Sequence, residues 1–267
     1  MNTARYTGKS RRFGLFISAA LTALALHSPD AFAAAAKPKL TGMWDYQGRV
    51  AEKGTVTTPP VTPAIAARIA KRKAAEQEGY VRNVANILCL PTGFPLLMQW
   101  KSPLQILEVP GRIVVLTEKD PGNDEPRTIY MNKKMPAEVD PSWNGYSVGR
   151  WEGDVLVVET RGLSERASLL GGVPRTLNTK VTERFSLSNG GKVLIDELTF
   201  EDPSTLTKPW TVALKYDRMP EDSERYEAVC EPDLEALKAV DLKAIKDIDV
   251  EAARMLDPNA QYNPGAK

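Results

Sequence analysis

Histidine is almost missing from this sequence. The one copy, His27, lies in an N-terminal stretch that reads as an export signal, so the chain expected after cleavage has none. This excludes a Ser-His-Asp triad, a Cys-His dyad and every histidine-bearing zinc or iron site. Catalysis would fall to carboxylates, Lys, Tyr, Arg, hydroxyls or a bound cofactor; no metal or cofactor is expected. Excess charge is missing too: 35 basic residues face 34 acidic ones, so neither nucleic acid nor an anionic membrane surface is an expected partner. Past the N-terminal stretch no segment is apolar for about eighteen residues, so the mature chain is expected not to insert into a membrane. Cysteine is down to two, Cys89 and Cys230.

The ends divide the chain. Arg5, Lys9, Arg11 and Arg12 precede the apolar run FGLFISAALTALAL, and Ala31-Phe32-Ala33 offers small residues at −3 and −1. Cleavage is predicted after Ala33, with residues 1–33 a signal peptide and the product periplasmic or secreted. Ser10-Arg11-Arg12 resembles a twin-arginine start, but Gly14 stands where such signals favour Phe, so the Sec-type route is expected. Neither cysteine lies at the junction, which argues against a lipid anchor. Two cysteines in an exported chain pair, so a Cys89–Cys230 disulfide is expected. Closing so long a loop is worth roughly 5 kcal/mol at most by chain entropy.

From Leu40 onward, short strands dominate. LTGMWDYQG is a first strand, and GTVTTPPVTP a proline-rich connector. Thr62-Pro63 starts a helix over 63–78, with Ile65 and Ile69 on one face and Gly79 as its stop; its basic cluster reads as a solvated face. CLPTGFP, residues 89–95, is turn chemistry. LQILEV and RIVVLTEK form a hairpin through Pro110-Gly111, and RTIYM is a short strand. DPGNDE (120–125) has oxygens that could ligate calcium but not the spacing of a known loop, and reads as a turn. Three further hairpins are expected: Tyr146–Trp151 with Val155–Thr160 through Glu152-Gly153-Asp154, TLNTKVTERFSL with KVLIDELTFED, and PWTVALKYDRM with ERYEAVC. About ten strands joined by short turns predict a mainly β fold, an antiparallel up-and-down barrel or strongly curled sheet spanning 34–232. Residues 233–267 read as a charged helical extension.

Alternation puts Tyr146, Val148 and Arg150 on one face and Val155, Val157 and Glu159 on another. Glu159 and Glu183 are charges in apolar company, and each is expected to pair with Arg150 or Arg184. Two uses follow. The ion pairs are struts between strands, with Trp143 and Trp151 as core; or Tyr146, Arg150, Trp151, Trp143 and Arg184 contact a ligand while Glu159 or Glu183 acts as a desolvated acid/base. Glu159 with Glu183 would be a two-carboxylate site.

The pieces LTGMW (40–44), CLPTGFP (89–95), ILEVPGRI (106–113), DPSWNGYSVGRWEGDVLVVET (140–160), VTERF (181–185), EDPSTLTKPWT (201–211) and Cys230 stand in the order seen in a large uncharacterised family of exported bacterial proteins, which the chain resembles over residues 40–232. The resemblance implies no activity. Relatives often carry an aromatic, Asp-bearing loop after the LVVET strand and a histidine before VTERF. Here those segments are RGLSERASLLGG and RTLNTK, which puts any chemistry of those residues in doubt. Gly42-x-Trp44, with a disulfide tying the C-terminal end to the barrel, resembles lipocalins and implies a small hydrophobic ligand. The leading expectation is a monomeric or homodimeric barrel binding a small apolar molecule in its lumen. The alternatives are a cofactor-independent isomerase, lyase or hydrolase on the same scaffold, and an envelope interaction module using helices 63–78 and 233–256.

Overall fold

A computed structural model of the chain describes residues 37–77, 87–118, 126–226 and 229–238. The expected signal peptide, the DPGNDE turn and the C-terminal extension beyond residue 238 lie outside the described residues. Nine strands close into one barrel in sequence order: β1 Gly42–Val50, β2 Leu104–Val109, β3 Arg112–Thr117, β4 Arg127–Met131, β5 Tyr146–Glu152, β6 Val155–Arg161, β7 Lys180–Ser188, β8 Val193–Glu201 and β9 Trp210–Arg218. Helix α1 spans Pro63–Gln77, and α2 is a short turn of helix, Leu234–Lys238.

Turn chemistry makes the hairpins. Gly111 and Gly153 sit in the left-handed region, at φ +74° and +63°, which is sterically cheap only for glycine. Registers are unbroken across β2–β3, β5–β6, β7–β8 and β8–β9.

The expected fold is present with two differences. The first is a parallel pair, β4–β5, in which Ile129 faces Ser147 and Met131 faces Gly149. Antiparallel neighbours reverse direction at every step, so an odd number of strands closes only if one neighbouring pair is parallel. The connection 132–145 supplies it by running back along the barrel, as a parallel pairing needs. Val139 on this crossing leaves no room for a side chain at Gly162, whose Cβ would meet Val139 Cγ1 at 2.3 Å.

The second difference is that the expected tenth strand is absent among the described residues. Residues 219–226 form no strand, because the free edge of β9 is already taken by β1. This segment instead runs past β3, where Arg225 and Tyr226 bond Thr117 and Glu118. It leads to Cys230, which is bonded to Cys89 across 141 residues, with Cα atoms 5.7 Å apart.

The barrel interior is filled. Trp44, Ile106, Val115, Ile129, Leu156, Val158, Phe185, Leu194, Leu198, Phe200, Trp210, Leu214 and Tyr216 are buried in one core. Phe94, Leu97 and Met98, from the segment before β2, complete it from the upper end, where β6 ends and β7 begins. Ile65 and Ile69 of α1 pack against the same core. An arginine ties each end together through backbone carbonyls. At the upper end Arg175 donates to the carbonyls of Ser164, Phe94 and Trp143. At the lower end Arg218 lies 4.1 Å from the Trp44 ring centroid and donates to the carbonyls of Lys39, Thr41 and Gly191.

Candidate functional site

Sheet register decides which charges enter the lumen. On β6 the inward side chains are Leu156, Val158 and Thr160, so Glu159 points outward and is bonded to Arg161 at 2.8 Å. On β5 Ser147 and Gly149 face inward, and Arg150 is on the outer surface. Arg150 and Arg184 both bond the exposed Glu152, at 2.6 and 3.1 Å. These two arginines, Arg184 before Arg150, hold the Glu152 carboxyl below the usual glutamate range. Tyr146 stacks on Tyr130 with centroids 4.8 Å apart, Trp151 is half-buried at the core's margin, and Trp143 lies in the crossing loop, where its carbonyl accepts from Phe94 N at 3.1 Å. Glu159 and Glu183 therefore stand on opposite faces of neighbouring strands, and the structure brings no two-carboxylate pair together from them.

Glu183 does enter the lumen, fully buried. Its partner is neither Arg150 nor Arg184 but Arg127, the first residue of β4, which is 1 % exposed. The guanidinium grips the carboxylate with both Nη atoms, Nη1 at 2.7 Å from Oε1 and Nη2 against Oε2. Nη2 also lies 3.4 Å from Ser147 Oγ and from Thr160 Oγ1, themselves 2.8 Å apart. The Phe94 ring centroid is 3.8 Å from Arg127 Cζ. Burial pushes the Glu183 pKa up, and Arg127 pulls it back.

One strand further round, β8 puts Asp196 on the inward face with Leu194, Leu198 and Phe200. Its register neighbours are Phe185 on β7 and Leu214 on β9. Both carboxyl oxygens are buried without a hydrogen-bond partner. Burial, followed by the nearby Glu183 charge, lifts Asp196 well above the usual aspartate range; Arg127 offsets part of this and Glu197 adds to it. Asp202 shows what this chain does with a buried aspartate elsewhere. It takes donors from Thr176 N, Thr176 Oγ1, Thr179 Oγ1 and Ser204 N at 2.5–3.1 Å. Asp196 has none.

Tyr216, on β9, donates to the Met98 carbonyl, and its ring is 5.6 Å from that of Tyr46. Burial, then Asp196, pushes its pKa well up. Tyr46 is only half-buried because β1 pairs with β2 through Gly42–Trp44 alone. β2 starts at Leu104, opposite Trp44, so past that residue β1 has no partner in β2, and Arg49 instead bonds Gln99 at 3.0 Å. The lumen thus holds a neutralised arginine–glutamate pair, an unpaired acid and two phenols in an apolar wall.

Sequence reasoning found Glu183 and missed Arg127, Asp196 and Tyr216. For Asp196 the signal was available: in VLIDELTF it is the one acid sharing a face with Leu194, Leu198 and Phe200. Arg127 lies 56 residues from Glu183, and no local pattern links them. No family model matches the chain and no curated protein matches it, so function is read from this geometry.

Proposed function

We propose that this is an exported binding protein, of the family its motifs resemble, that takes a small, largely apolar molecule into the barrel. The observation that carries the reading is Asp196, a buried carboxyl with both oxygens unpaired on the inward face of β8 among Leu194, Leu198 and Phe200. Leaving such a group unpaired costs about 1–3 kcal/mol, and ligand sites in apolar pockets use just a few such polar groups. In this structure Met98 reaches into the lumen, where its carbonyl accepts from Tyr216 and its sulfur lies against Arg127, with Phe94 and Leu97 in the same core. The ligand enters the barrel when this segment withdraws.

A second reading, an interaction module, has one observation behind it. Tyr226 and Val229 are about three-quarters exposed, and Leu234 is 60 % exposed, all close in sequence to Cys230.

Mass spectrometry of the protein exported under its own N-terminal sequence separates the two. Cleavage after Ala33 and release of a stoichiometric small molecule on denaturation are expected. A protein that releases no small molecule would sink the lumen reading in favour of the module.

A further inference from the structure

We infer that the lumen site, on the binding reading proposed above, takes a ligand carrying a protonated amine, held by Asp196 and walled by Tyr46 and Tyr216. Ionised, a carboxylate is acceptor-only with room for about four donors, and Asp196 has used none of that capacity. A ligand that brings donors can use all of that capacity, whereas the protonated acid offers an acceptor ligand a single O–H. Glu183 offers no competing place, since both its oxygens are gripped by Arg127. Tyr216 cannot serve a ligand acceptor without giving up the Met98 carbonyl.

Charge balance selects among donors. Arg127 and Glu183 cancel. An ammonium group with an ionised Asp196 cancels as well, leaving the lumen neutral. Burial favours a proton on Asp196; it leaves to water when an ammonium ion enters, or passes to the nitrogen when a free amine does. An anion would bring a charge that nothing in the lumen balances, since Arg127 is already neutralised. An alcohol would satisfy one oxygen and leave the other. The two phenol rings meet at 54°, and ring faces attract cations. The lumen already uses that contact where Arg127 lies over Phe94.

The test uses three near-isosteric probes, phenethylamine, 2-phenylethanol and 3-phenylpropionate, titrated into the full-length mature protein by calorimetry and thermal shift. The amine is expected to bind at least about tenfold tighter than the alcohol, a difference of ~1.4 kcal/mol, with the acid weakest. Asp196→Asn, which keeps the side chain's shape, should abolish the preference for the amine over the alcohol. Tighter binding of the alcohol or the acid, or an amine preference that survives in Asp196→Asn, overturns the inference. If none of the probes binds while the exported protein releases a neutral or anionic compound, the amine assignment falls and the binding reading stands. If none binds and nothing is released, both fall.

Discussion

Replacing Asp196 with asparagine tests the electrostatics of the lumen without a ligand. The two side chains are nearly isosteric, so packing against Phe185 and Leu214 is preserved. Only the titration is removed. In the unfolded chain the carboxyl loses its proton near the ordinary aspartate value of about 3.9. In the fold, burial and the Glu183 charge keep the proton on to much higher pH. Above the ordinary value, the folded state therefore holds a proton that the unfolded state has released. Stability from this group is fully present below that value and is lost as pH rises, by about 1.4 kcal/mol per pH unit, until the folded carboxyl ionises. For a domain of this size that is roughly 3–6 °C in Tm per unit. The groups that set the field at Asp196, Glu183, Arg127 and Glu197, are unchanged in the variant, so their own pH dependence largely cancels in the difference. Calorimetric melts of both proteins at several pH values between about 4.5 and 6.5, at fixed ionic strength, should show the variant gaining on the parent with each step. Parallel curves would mean that Asp196 is ionised in the fold, and the account of it as an unpaired neutral acid would be refuted.

Three further outcomes are expected. Arg127→Met leaves Glu183 buried without its cation and should cost about 3–5 kcal/mol in urea unfolding, whereas adding Glu183→Leu should restore most of it; a double variant as weak as the single one would contradict the ion-pair account. Arg150→Ala and Glu159→Gln, both on the outer surface, should each change stability by less than about 1 kcal/mol and leave any lumen ligand bound, which proteolysis midpoints and the same extraction can check. Replacing Cys89 and Cys230 together with serine should lower Tm by up to the equivalent of ~5 kcal/mol, and reducing agent should move the parent but not the variant.

The hairpins and the disulfide were legible because their causes are local or compartmental. Pro110-Gly111 and Gly153-Asp154 dictate reversals, and an export signal with two cysteines dictates a bridge. The faces of β6 were not legible. Val155, Leu156, Val157 and Val158 are apolar on both sides, so nothing in that strand says whether Glu159 looks in or out. The parallel pair was hidden for a different reason: the crossing 132–145 has no periodicity, and its necessity comes from the strand count, a property of the whole sheet. Residues 224–230 have the composition of a strand, but closure of β9 on β1 leaves no edge there, and the described residues 224–226, 229 and 230 form none. Glu183 stood out as a charge among apolar neighbours, whereas Asp196 was masked by the acids of DELTFED around it.

The two arginine clamps bear on how this protein can change over generations. Arg175 and Arg218 hold the barrel ends by main-chain oxygens, which every amino acid supplies, so the loops they grip can exchange side chains without losing the tie. Gly42 is one exception, because a Cβ there would meet Arg218 Nη1 at 2.8 Å. A mouth fastened in this way is free to diversify around a fixed frame, and new specificities can be sampled at the rim at little risk to the fold.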